Sequence, residues 1–161
     1  MKRWDLRPIE QRTLLNPAFL AVLVVEVARG HAEERTTPLP FALAFLAVPL
    51  VVHEPTRETL PTIATSMYAW LQQRPQARVH IPPLAVEFAP PTREAIRFGA
   101  RHGVLSFAAR GALAAEPLAK ASRGAQTTDL VSCREGARFI GRWLARAGDP
   151  GTVLSAWGLS V

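Results

Sequence analysis

From Pro38 to Val52 the chain carries no charge, reading Pro-Leu-Pro-Phe-Ala-Leu-Ala-Phe-Leu-Ala-Val-Pro-Leu-Val-Val, and His53-Glu54-Pro55-Thr56-Arg57-Glu58 then closes the run abruptly. A membrane span needs roughly 20 consecutive apolar residues, and this run is shorter and interrupted by proline. A helix that is apolar on every side is buried on every side. Residues 40–52 are therefore predicted to form a central core helix with the remaining helices packed around it. Before it, Asn16-Pro17 gives a helix start, because asparagine accepts from the free amides of the first turn and proline needs no N–H at the first position. Phe19, Leu20, Leu23 and Val27 then recur at helical spacing from Ala18 to Arg29. Gly30 offers a C-cap. Pro8 to Leu15 reads as a short helical lead-in, and His31 to Thr37 as a polar connector.

Beyond the apolar run, the prolines of His53–Pro61 predict a loop. Residues 62–73 predict an amphipathic helix with Ile63, Met67, Tyr68, Trp70 and Leu71 inward, ended by Pro75. A short helix across 82–88 follows, and Pro90-Pro91-Thr92 opens another from Arg93 to His102, terminated by Gly103. The period then changes. Val104–Ala109 and Ala112–Ala115 flank Arg110-Gly111, which predicts a β-hairpin. Lys120 to Thr128 reads as a small polar connector. Asp129 is placed to cap a long helix to Ala147, with Leu130, Ile140, Trp143 and Leu144 inward. Gly148-Asp149-Pro150 breaks it, and Thr152 to Trp157 makes a last short helix.

Three short helices followed by a two-stranded ribbon is the order of a winged helix. The expected fold is mainly α: residues 1–161 as a single domain with a winged-helix-like core over about 57–116, and extra N- and C-terminal helices. Winged helices serve DNA binding and protein docking alike, so fold alone leaves function open.

Length and composition change this picture little. The chain has 161 residues, 48% hydrophobic and 20% charged, which suits one globular domain with a true core. Its net charge of +6, carried mostly by arginine, fits an acidic partner, either nucleic acid or an acidic protein surface. Cys133 is the single cysteine. It excludes an intrachain disulfide and, with histidines at 31, 53, 80 and 102 lacking ligand spacing, gives no structural metal site. No cofactor is implied. The opening Met1-Lys2-Arg3-Trp4-Asp5, followed by Glu10-Gln11-Arg12, is not a signal-peptide layout, and a cytoplasmic location is expected.

Candidate chemistry concentrates in three places. Arg93, Arg97 and Arg101 lie four apart on one helical face, with Arg110 at the wing tip. Guanidinium groups in such a row match phosphates, acidic protein groups, or simply water. Asparagine and glutamine are absent from 93–102, which disfavours base-specific reading. Arg134, Arg138, Arg142 and Arg146 form a second row, read as a solvated face or as a match for an anionic groove on a partner. The loop residues His53, Thr56, Arg57 and Glu58 read either as a partner interface or as a structural turn in which Arg57 holds nearby carbonyls or carboxylates. No nucleophile motif or glycine-rich phosphate loop accompanies them, so no enzymatic activity is expected. The tryptophans at 70, 143 and 157 read as core anchors, whereas Trp4 lies outside the periodic segments and is a candidate to dock on a neighbour.

Several stretches taken in order resemble a known family. They are Asn16-Pro17-Ala18-Phe19, Leu39-Pro40, and Pro49-Leu50-Val51-Val52-His53-Glu54-Pro55-Thr56-Arg57-Glu58-Thr59-Leu60-Pro61. Thr65-Ser66, Trp70-Leu71, Thr92-Arg93-Glu94-Ala95-Ile96-Arg97-Phe98-Gly99, Phe139-Ile140-Gly141-Arg142-Trp143-Leu144-Ala145-Arg146-Ala147-Gly148 and Trp157-Gly158 complete the series. Together they resemble the middle component of bacterial three-component ABC-ATPase systems. The resemblance implies a small non-catalytic subunit encoded beside an SMC/Rad50-like ABC ATPase and an effector, as in Lamassu-type systems that defend bacteria against phages and plasmids. There the ATPase senses nucleic acid, the effector does the damage, and the middle component is expected to bridge them, with DNA contact possible within the complex. It supplies no catalytic residues. The alternative from another class is a free-standing winged-helix DNA-binding regulator, for which a dimerisation element and base-reading side chains would be expected. A third, a small hydrolase, lacks a nucleophile–base pair.

Overall fold

The computed structural model describes residues 15–117 and 127–159; the predicted Pro8–Leu15 lead-in, but for its last residue, and most of the Lys120–Thr128 connector lie outside them. In chain order the elements are α1 (Pro17–Glu34), α2 (Phe41–Val52), a one-turn α3 (Glu54–Arg57), α4 (Met67–Gln73) and α5 (Ala77–Arg101). A hairpin follows, of β1 (Leu105–Phe107) and β2 (Leu113–Ala115) joined through a 3₁₀ turn at Ala109–Gly111, and then α6 (Thr128–Arg146) and α7 (Pro150–Ala156). The domain is mainly helical with one small antiparallel hairpin, as the pattern predicts.

The start of α1 follows the sequence closely: the Asn16 side chain accepts from the Ala18 amide at 2.9 Å, with Pro17 at the first position. Its end does not. The helix runs through Gly30 to Glu34, so Gly30 is not a C-cap. A Cβ on Gly30 would stand 2.0 Å from the Arg138 carbonyl oxygen, and one on Gly141 would stand 2.0 Å from that of Val27. Each glycine accepts the backbone of the opposite helix, so α1 and α6 cross with their main chains nearly touching. Only a residue without a side chain permits that approach.

The apolar helix α2 is buried along Leu43, Ala44, Leu46, Ala47, Val48, Pro49, Leu50 and Val51. It shares the centre with α1, whose Leu20, Leu23, Val24, Val25 and Val27 are fully buried. Trp70 of α4 meets Trp143 of α6 edge-on at 5.5 Å and Trp157 at 6.1 Å. Each indole N–H is satisfied: Trp70 donates to the Thr59 carbonyl, Trp143 to that of Thr65, and Trp157 to the Met67 sulfur. A buried indole needs such a partner, and these three anchor α4, α6 and α7 in one cluster.

The hairpin pairs Leu105 with Ala115, Ser106 with Ala114 and Phe107 with Leu113. Leu113 also exchanges two backbone hydrogen bonds with Leu39, which ties the entry of α2 to the hairpin. Arg110 at its turn has φ 58° and Gly111 has φ 73°, the left-handed conformations a tight connection requires.

Three boundaries differ from those predicted. The helix expected from residue 62 begins only at Met67, where Ser66 caps it. Helix α6 is capped by Thr127, accepting from the Leu130 amide, rather than by Asp129. Most consequentially, the predicted helices 82–88 and 93–102 are one continuous helix of 25 residues with Pro82, Pro83, Pro90 and Pro91 inside it. A helical proline leaves the carbonyl four residues earlier without its donor. Here those carbonyls belong to Arg78, Val79, Val86 and Glu87, all on exposed residues, where water can replace the missing N–H. The three short helices expected before the ribbon are thus two, α4 and a long α5, and the predicted His53–Pro61 loop holds the single turn α3.

Candidate functional site

The two arginine rows have different surroundings. Along α6, every member meets a carboxylate of α1. Arg134 reaches Glu26 at 2.8 Å and Arg138 reaches it at 3.3 Å. Arg138 also donates to Glu33 at 2.7 Å. Arg142 and Arg146 both hold Glu34, at 2.9 and 2.8 Å. Glu26 is only 3% exposed and is further approached by Arg29; an isolated carboxylate could not stay charged at such burial. Hydrogen bonds from Arg146 and Arg142 hold Glu34 below the usual carboxylate range, and Glu33 holds the Arg138 guanidinium above its usual one. The row is therefore neither a bare solvated face nor a free match for a partner's groove. It closes the α1–α6 seam beside the two glycine contacts.

The His53–Pro61 segment is likewise tied inward. Arg57 donates to the Val51 carbonyl at the end of α2 and, through its other terminal nitrogen, to Asp129 in the first turn of α6. This is the structural turn reading, with Arg57 on one carbonyl and one carboxylate. Thr56 is buried, and its hydroxyl lies 2.7 Å from His53 Nδ1. Thr59 directs its hydroxyl to the carbonyls of Pro55 and Thr56. His53 also faces His80 of α5 with ring centres 6.4 Å apart. Glu58 is exposed at the end of the turn. Trp4 lies outside the described residues.

Along α5, Arg93, Arg97 and Arg101 are all exposed, and none makes an ion pair or side-chain hydrogen bond with a described residue. Arg93 lies over the Phe45 ring at 5.6 Å, a cation–π contact that leaves its N–H groups available. Arg110 stands exposed on the separate hairpin tip. The continuity of α5 brings in residues that the sequence reading missed. Val79 and Val86 are 68% and 70% exposed, and with Pro83 and Pro90 they continue the line of the arginines toward the start of the helix. Beside Val86 and Arg93 lies an apolar groove of about 400 Å³ formed with Phe41, Phe45, Ala89 and Leu154. The 4-3-4-3 spacing of these positions was in the sequence, but the prolines divided it between two expected helices.

Among the described residues, these features define a helical protein with a row of arginines on an exposed helix face that meets no carboxylate. The chain belongs to the family described as ABC-three component (ABC-3C) system Middle Component 3, whose model matches residues 4–161. No curated protein and no solved structure matches it. Among the described residues, no helix is long and apolar enough to cross a membrane.

Proposed function

We propose that this middle component is a non-catalytic accessory subunit that bridges an SMC/Rad50-like ABC ATPase and an effector protein, in a cytoplasmic bacterial defence complex of the Lamassu type. Family membership supplies the setting, a multi-protein ATPase system. The observation that carries the bridging role is the exposed face of α5, whose three arginines meet no carboxylate among the described residues while the arginines of α6 are all engaged. A subunit that acts by docking needs such a surface and a rigid core behind it, and the glycine seam and tryptophan cluster supply the core. Titratable groups nearer the interior serve the fold: Arg57 and Glu26 are held in ion pairs between elements, and burial pushes the Cys133 thiol up, away from the thiolate form that nucleophilic chemistry needs.

The test is co-expression of the tagged chain with the ATPase and effector encoded beside it. The reading expects both to be retained on the tag, and expects the effector to lose the ATPase when the chain is omitted. An effector that holds the ATPase equally well without this chain would contradict the bridging role. Nuclease, protease or ATPase turnover by the purified chain, abolished by one point substitution, would contradict the non-catalytic one.

A further inference from the structure

The exposed face of α5 carries a single stripe. Val79, Pro83, Val86, Pro90, Arg93, Arg97 and Arg101 are all exposed, and their spacing of three and four keeps them in register on one side of the helix. At 1.5 Å per residue the stripe is about 33 Å long. It is divided by polarity. The first four positions are apolar and, beside Val86, adjoin the groove of Phe41, Phe45, Ala89 and Leu154; the last three are cationic. Alternating three–four spacing is the seam that one helix offers to another, yet no described element covers this one.

We infer that this stripe is a docking seam for one amphipathic helix of a partner protein, apolar where it faces Val79–Pro90 and acidic where it faces Arg93–Arg101. Charge complementarity assigns the acidic end. The apolar half separates a protein from nucleic acid, because phosphates gain nothing from the two valines and prolines. Orientation follows from the helix dipole. Acidic side chains are stabilised in the first turns of a helix, near its free N–H groups. The partner helix therefore starts beside Arg101 and runs toward Val79, antiparallel to α5, with the two dipoles opposed. The inference rests on the docking role proposed above, but it can be tested on the full chain alone.

The probe is a synthetic helical peptide as long as the stripe, about 22 residues, with glutamates at the seam positions of its first half and leucines at those of its second. The control has the same composition with the halves exchanged. Binding to the full chain is expected to be at least about tenfold tighter for the acid-first peptide. R93E/R97E/R101E and V79D/V86D should each remove that preference with thermal unfolding unchanged, since all five side chains are exposed. Equal binding of the two peptides would overturn the antiparallel orientation, because the exchanged peptide meets the same residues when it lies parallel to α5. Binding of neither peptide would overturn the seam. So would tight binding of a DNA duplex that needs the arginines but ignores V79D/V86D, which would make the row a phosphate contact. Retention of the preference by a chain that fails to hold the neighbouring ATPase would sink the bridging role and leave the seam standing.

Discussion

Two helices of this protein carry arginines at every fourth position, and the structure uses them in opposite ways. On α6, Arg134, Arg138, Arg142 and Arg146 are matched by Glu26, Glu33 and Glu34 of α1. On α5, Arg93, Arg97 and Arg101 meet no carboxylate among the described residues. The spacing is the same, so the rows themselves cannot differ in what they attract. The difference lies in the facing element. Gly30 and Gly141 bring α1 and α6 so close that long side chains on their flanks must meet, and the side of α1 that flanks the crossing holds the three glutamates. The outer side of α5 faces solvent. A periodic charge row thus becomes structural when a close helix crossing supplies its counter-charges, and stays available for a partner otherwise.

The comparison breaks most sharply at the crossing. Gly30→Val and Gly141→Val must drive the helices apart, because the new Cβ would lie 2.0 Å from a backbone oxygen. Each is expected to lose about 3 kcal/mol of stability, read by urea unfolding. A loss under about 0.5 kcal/mol would mean that the close approach is not needed. Next comes the buried carboxylate. R134M/R138M leaves Glu26, 3% exposed, with only Arg29 at 3.5 Å. A loss of about 2 kcal/mol is expected, below that of a fully buried pair because both arginines are partly exposed. Glu26→Gln should cost less than the double variant, since the arginines it frees can turn to water.

Acid should loosen the same seam in two stages. Burial lowers the pKa of His31, whose Nδ1–H donates to the Thr37 carbonyl. Its contribution is complete above the ordinary histidine value of about 6.5 and fades as pH falls through the lowered one. Glu34 is lowered by its two arginines, so its contribution is complete above the ordinary glutamate range and is lost as pH falls through its own depressed value. Thermal unfolding followed from neutral to acid pH should show stability falling in both windows. His31→Gln should abolish the upper stage and Glu34→Gln the lower; a profile unchanged by either would remove these groups from the account.

What the sequence disclosed was what neighbours along the chain decide. The Asn16-Pro17 start, the all-apolar α2, the Arg110-Gly111 turn, the short last helix and the tryptophan anchors all rest on local signals, and the structure has them. The structural role of Arg57 was legible too, because an arginine among prolines directly after a buried helix has carbonyls to hold. The misses share one cause. Gly30 looks the same locally whether it ends a helix or admits another, and only Gly141, far along the chain, distinguishes the two. Proline's penalty in a helix depends on whether the orphaned carbonyl is wet, and the wet side of α5 is set by tertiary packing. With α5 divided at its prolines, the apolar half of the exposed stripe could not be joined to its arginines.

Parallel triple variants test the central claim most directly. R93A/R97A/R101A and R138A/R142A/R146A each remove three guanidinium groups, and each is measured for thermal unfolding and for retention of the co-expressed ATPase and effector. The account predicts that the α5 variant melts like the parent and loses a partner, whereas the α6 variant melts at a lower temperature. An α5 variant that assembles normally and also melts like the parent would show a merely solvated face, and would contradict the claim.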